Sequence, residues 1–359
     1  MEPAMAAEES LAELLAAPTP EACCRLFAQE RFQSLDLAEL LLQRSAEAQL
    51  RATREALRLA RLARHLSPRL TPPEVAARIL ARARCLEGNA LRLSGDHELA
   101  AEAFVCTVPA LVEPAERAAF LRGLGLVRWE QGRPDEALAL VHGAVWTYDE
   151  NRTASERAAT SLLEGVLLME LGFVRGAARF LGSFLSPHRH PALCGRAALH
   201  LACAVEPECP NRDDSIRYFL DKGVSVYPLL ANDTEELTSL YRLEARVQAK
   251  LGRREEARAT LGGLRQHYLE ARDLPELALA TMDLLALQAA AGEIPGVMAF
   301  RRDLEGFEPE EGGPLALMAL DRMFALPAEG PWERALAAGA WLLPMLRFSH
   351  IPTRPVPFA

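Results

Sequence analysis

One spacing limits this chain more than any other. Four times a small residue is followed seven positions later by a glycine and five beyond that by an alanine: Gly88, Gly95 and Ala100; Gly125, Gly132 and Ala137; Gly165, Gly172 and Ala177; Ala245, Gly252 and Ala257. The glycines stand 37, 40 and 80 residues apart, so one period of 40 is hidden between Gly172 and Gly252. The hidden unit is expected to turn near Asn211 and Arg212, in ECPNRDDSIRYFL, where Asn and Asp precede an apolar helix pattern. A sixth unit keeps Gly292 but carries Leu285 and Val297 at its two small positions. Four repeats are clear and two are degenerate.

The local chemistry of each repeat is that of two helices joined by a turn. In EQGRPDEALAL, residues 130–140, Gly132 ends one segment, Pro134 sits in a first helical turn, and Asp135 and Glu136 favour that turn's positive end. Ala, Leu, Glu and Arg dominate the chain and β-branched residues are sparse, which favours helix nearly everywhere. A small residue in mid-helix and an alanine early in the next helix allow close approach, while the glycine adopts a turn conformation that other residues resist. Four residues beyond each alanine come Phe104, Val141, Leu181 and Leu261, large apolar groups expected to pack against the neighbouring pair. A single pair leaves an apolar face uncovered, so the units must stack.

This pattern, over roughly residues 78–305, resembles the tetratricopeptide repeat superfamily: the small residue, the turn and the alanine sit where that helix–turn–helix repeat places them. The period near 40 exceeds the usual 34, and most of the first-helix aromatic residues are missing; HEAT-like pairs are the alternative. The resemblance implies an all-α fold, an α-solenoid of stacked antiparallel helix pairs in a right-handed superhelix, with a concave groove lined by the first helix of each pair. The expected organisation is an N-terminal helical cap at 1–70, the repeat array at 71–307, and a C-terminal helical cap with an extended Pro-containing tail at 308–359. Residues 8–32 read as two short helices with Thr19-Pro20 as a cap, and 36–66 as another pair or one long helix. After an acidic, Gly-rich break at 308–314, helices are expected near 315–326 and 331–347.

The N-terminus carries acids where a secretory signal needs bases, and no stretch is apolar enough to span a bilayer, so a cytoplasmic protein without a membrane partner is expected. Only Lys222 and Lys250 are lysines, which hints at a high-GC bacterial origin. Seven cysteines without CxxC spacing fit reduced thiols better than disulfides.

Three features could carry chemistry. Residues 44–84 hold ten Arg against three Glu, and Arg51, Arg54, Arg58 and Arg61 fall on one helix face, either a dock for an acidic partner or a solvated stripe. The chain's net charge of −9 and the lack of a legible DNA-binding motif or aromatic platform argue against nucleic acid. His188, His190, Cys194, His200, Cys203 and Cys209 are metal-ligand types, but without the tight paired knuckles of structural zinc sites, and no metal or other cofactor is expected. No phosphate loop, nucleophile elbow, HExxH or local cysteine-nucleophile signature is present, and the expectation is a protein that is not an enzyme.

The resemblance points instead to the groove. With the small residue counted as eighth, the second, fifth, ninth and twelfth positions of the first helices face its concave side. That face presents Arg82 and Asn89, then Arg122, Leu126 and Trp129, then Leu162, Val166 and Met169, then Arg242 and Arg246. An apolar centre with basic ends suits a peptide or protein segment with apolar anchors and acidic flanks. The carboxylate clamp of chaperone-binding relatives is matched only by Asn89: Cys85, Gly123, Ala159 and Leu163 occupy its other positions. The expected function is a non-enzymatic adaptor or regulator that holds a partner's segment. A ligand- or peptide-sensing regulator of a bacterial signalling or transcription system, and a homo-oligomeric scaffold, are the alternatives.

Overall fold

The computed structural model describes residues 3–17, 19–49, 52–107, 113–148, 154–185, 190–205 and 211–290. Among these the chain is all-helical, with fifteen α-helices and no strand. The chain divides into two compact units between Asp149 and Glu150. In the first lie α1 (Pro3–Ala16), α2 (Pro20–Phe27), α3 (Leu35–Ala48), α4 (Thr53–Leu66), α5 (Pro73–Leu93), α6 (His97–Val105), α7 (Pro114–Glu130) and α8 (Pro134–Thr147). The second holds α9 (Ala154–Glu170), α10 (Val174–Gly182), α11 (Pro191–Ala204), α12 (Arg212–Val224), α13 (Thr234–Lys250), α14 (Arg254–Glu270) and α15 (Leu274–Ala290).

Prolines at the first turn open α2, α5, α7, α8 and α11, where the missing N–H costs nothing. The hydroxyls of Thr19 and Ser34 cap α2 and α3 by accepting from the backbone of Ala22 and Leu37, each at 3.2 Å. Residues 36–66 form a pair, α3 and α4, rather than one helix. Their core runs from Leu11, Phe27 and Phe32 through Leu41 and Leu59 to Ile79 and Leu86, so the helices before residue 70 share one apolar interior with α5.

The repeat glycines act as expected. Gly95, Gly132, Gly172 and Gly252 have φ between +73° and +84°, where a Cβ would be strained. At each, the glycine N–H bonds back three residues and the next N–H five, as from Asp96 to the Leu91 carbonyl at 2.9 Å; this satisfies carbonyls that the helix end would leave bare. Asn211 takes the hidden turn at φ +58°, and Arg272, in a turn the sequence does not announce, adopts +55° between α14 and α15. Gly292, Val297 and everything beyond lie outside the described residues.

Close approach accounts for the small residues. A Cβ on Gly88 would stand 2.8 Å from the Phe104 ring, one on Gly125 2.9 Å from Val141, and one on Gly165 2.7 Å from Leu181. The large residues therefore pack first on their own pair. Some also reach the next pair: Phe104 stacks edge-on with Phe120 at 5.9 Å, Leu181 shares a cluster with Leu193, Ala197 and Leu201 of α11, and Leu261 with Leu287 of α15. The degenerate fourth unit inverts the scheme, placing Gly223 of its second helix against Leu199 of its first. Within the first unit α5 lies against α7, and within the second α9, α11, α13 and α15 follow one another side by side.

Candidate functional site

The first-helix positions expected to face a partner are mostly occupied by the chain itself. Arg82, 5% exposed, donates to Glu39 at 2.6 Å and lies 3.8 Å from Glu116 of α7. Burial raises the Glu116 pKa, while Arg82 and Arg78 oppose the shift. Asn89 donates to Gln49 at 3.1 Å and accepts from Arg92 at 3.0 Å; Arg92, fully buried, donates to the equally buried Glu130 of α7 at 2.6 Å. In the second unit Arg196 of α11 grips Glu236 of α13 at 2.8 Å. Arg242 of α13 meets Glu276 and Asp283 of α15 at 3.3 and 3.7 Å, and Arg246 reaches the same Asp283 at 3.9 Å.

A regularity links these pairs. An arginine on one first helix meets a carboxylate on the next, 38 residues later at Arg92–Glu130, 40 at Arg196–Glu236 and 34 at Arg242–Glu276. Sequence reading misses these acids, though an Arg and a Glu separated by one repeat period is the signal that locates them. The expected basic ends of the groove, Arg82 and Arg242, thus spend their charge holding neighbouring helices together.

The apolar positions divide. Leu162 is fully buried among Leu193, Ala197 and Leu201, and Leu126 and Val166 are likewise buried, whereas Met169 packs half-buried at the edge of the Leu162 cluster. Trp129 is half-buried and Arg122 is buried on the same helix, α7. Burial pushes the pKa of the Cys85 thiol up to about 12, with a side-chain hydrogen bond involving Thr107 opposing the shift.

Three of the four arginines of the basic stripe meet at a different feature. Arg54, Arg58 and Arg61, with His65, form one wall of a cleft of about 740 Å³ between α4 and the α1–α2 turn; Arg51 lies outside the described residues. Its floor is Leu15, Cys23, Phe27, Leu57 and Leu62, and no carboxylate lines it among the described residues. Arg58 spends one N–H on the Leu15 carbonyl at 2.8 Å, and Arg61 and Arg64 share the single carboxylate of Glu87, each at 3.0 Å. Burial first, then the cations of Arg64 and Arg69, lower the His65 pKa.

No protein-family model and no curated protein matches this chain.

Among the described residues the histidine–cysteine cluster does not converge. His188 and Cys209 lie outside the described residues; Cys194 is buried in an apolar cluster that raises its pKa, with Lys222 opposing the shift, and Cys203 packs at the edge of that cluster. The Lys250 ammonium donates to the Cys203 carbonyl at 2.6 Å, tying the end of α11 to α13. Among the described residues no three His, Cys, Asp or Glu side chains are grouped as a metal site would need, and no helix is long and apolar enough to cross a membrane.

Proposed function

We propose that this protein is a non-enzymatic interaction adaptor or regulator, built in each unit from stacked TPR-like helix pairs, that holds a segment of another protein. One observation carries the reading: first helices lie on first helices, clipped by arginine–carboxylate pairs one repeat apart, an arrangement that aligns equivalent positions of successive pairs on one face. Equivalent, regularly spaced positions are what an extended or helical segment reads. Trp129 in the first unit, and Met169 and Arg246 in the second, keep part of their surface on such faces and are the contacts assigned to the partner. An amphipathic aromatic and a flexible thioether suit apolar anchors, and a half-exposed arginine suits an acidic flank.

The test is affinity capture from native lysate with the wild type and with Trp129→Ala and Met169→Ala variants, each checked for folding by circular dichroism. A protein retained by the wild type and lost by a folded variant supports the reading. Equal retention by wild type and variants, or no retained protein, rejects it for these faces.

A further inference from the structure

The cleft between α4 and the α1–α2 turn serves none of the helix-pair faces, and its two halves call for one kind of occupant. The floor, of Leu15, Phe27, Leu57 and Leu62, is apolar. The wall carries three arginines, with His65 at its end. Residues 54, 58, 61 and 65 succeed one another along one helix face, and at 1.5 Å per residue the row extends for about 16 Å. Arg58 has a neutral carbonyl as its partner, and Arg61 and Arg64 divide one carboxylate between them, so these three side chains carry more positive charge than those partners offset.

A single anionic headgroup would meet only one end of such a row. An anion distributed along a rod meets all of it, provided the rod also offers an apolar side to the floor. We propose that this cleft docks an acidic amphipathic helix of a partner protein, with carboxylates spaced i, i+4 and i+7 facing the arginines of α4 and aliphatic side chains on Leu15, Phe27, Leu57 and Leu62. This goes beyond the adaptor reading, because the cleft can hold its helix whether or not the Trp129 and Met169 faces hold a segment.

The probe is a fluorescein-labelled, amide-capped peptide of Leu, Ala and Glu with its Glu residues at that spacing, titrated with the full chain and read by anisotropy. Controls are the same peptide with Lys for Glu and a scrambled one of identical composition. The Glu peptide binds, both controls fail, and added salt weakens binding. An Arg58→Gln/Arg61→Gln variant, which alters only exposed side chains, binds about tenfold more weakly while its circular dichroism is unchanged. Leu57→Ala, which trims the floor without adding a charge, weakens binding to a similar extent at low and high salt. Equal binding of the scrambled peptide, indifference to the arginine changes, or binding of anionic phospholipid vesicles in place of the peptide overturns the proposal. So does a concentration-dependent mass abolished by Arg58→Gln/Arg61→Gln, since the occupant would then be a second copy of this chain. Failure here leaves capture through Trp129 and Met169 untouched, so the two readings are refuted separately.

Discussion

Replacing Arg92 by Met removes the positive half of a pair in which neither side chain has any exposed surface. Glu130 is then left with His97 Nδ1 at 3.3 Å as its nearest ionisable neighbour, and the Asn89 carbonyl oxygen loses the Arg92 N–H that it accepts. Breaking a buried pair from one side typically costs about 3–5 kcal/mol, because a desolvated charge is left uncompensated. At roughly 2–4 °C per kcal/mol for a unit of this size, melting falls by about 6–20 °C. The double change Arg92→Met/Glu130→Leu removes both charges and recovers most of the loss, which a double-mutant cycle reads directly. Calorimetry supplies the melting shift, and hydrogen exchange followed by mass spectrometry shows whether α5 and α7 open together. The exposed pair Arg44–Glu8, 3.1 Å apart with both side chains about half exposed, serves as control, and Arg44→Ala changes stability by no more than about 1 kcal/mol. If Arg92→Met were as mild as Arg44→Ala, the clip between successive first helices would be ornamental and the reasoning wrong.

Three further outcomes are expected. Gly165→Ala meets Leu181 at 2.7 Å and costs about 1–2 kcal/mol after its gain in helix propensity, whereas Gly176→Ala, with open space around it, gains about 0.5–1 kcal/mol; denaturant midpoints decide. Burial raises the Glu116 pKa in the fold, so its contribution is fullest below the ordinary 4.5 and is lost as pH rises through the raised value. Glu116→Gln, which mimics the protonated acid, therefore stabilises more at neutral pH than in acid, and a larger gain in acid would contradict the assignment. Exposed Cys24 alkylates with iodoacetamide well before Cys85, whose thiol is held near a pKa of 12; equal rates by mass spectrometry would refute its inertness.

The hairpins were legible because their signals are local. A glycine with positive φ, a proline in the first turn and a small residue opposite a large one each act within a few turns of helix, so Gly95, Gly132, Gly172 and Gly252, and even Asn211, could be placed from sequence. The turn at Arg272 was not, since no residue type there announces a left-handed conformation. Faces were harder. Periodicity places Arg82, Arg242 and Arg246 at equivalent positions of their helices, but it does not say that Glu116, Glu276 and Asp283 stand opposite them on the next helix. The same limit hid the cleft: Arg54, Arg58 and Arg61 were readable as a row, while the floor beneath them comes partly from Leu15 and Phe27, far earlier in the chain and brought there only by packing. The acidic break at 308–314, the helices expected near 315–326 and 331–347 and the tail lie outside the described residues.

The most direct test of the adaptor reading is photo-crosslinking in native lysate with benzoylphenylalanine in place of Trp129, on a first helix, and separately in place of Trp146, which stands 71% exposed on the second helix of the same pair. The account predicts a discrete crosslinked protein from position 129 and none from position 146, despite the greater exposure of 146. Crosslinks from 146 alone, or the same products from both, would contradict it.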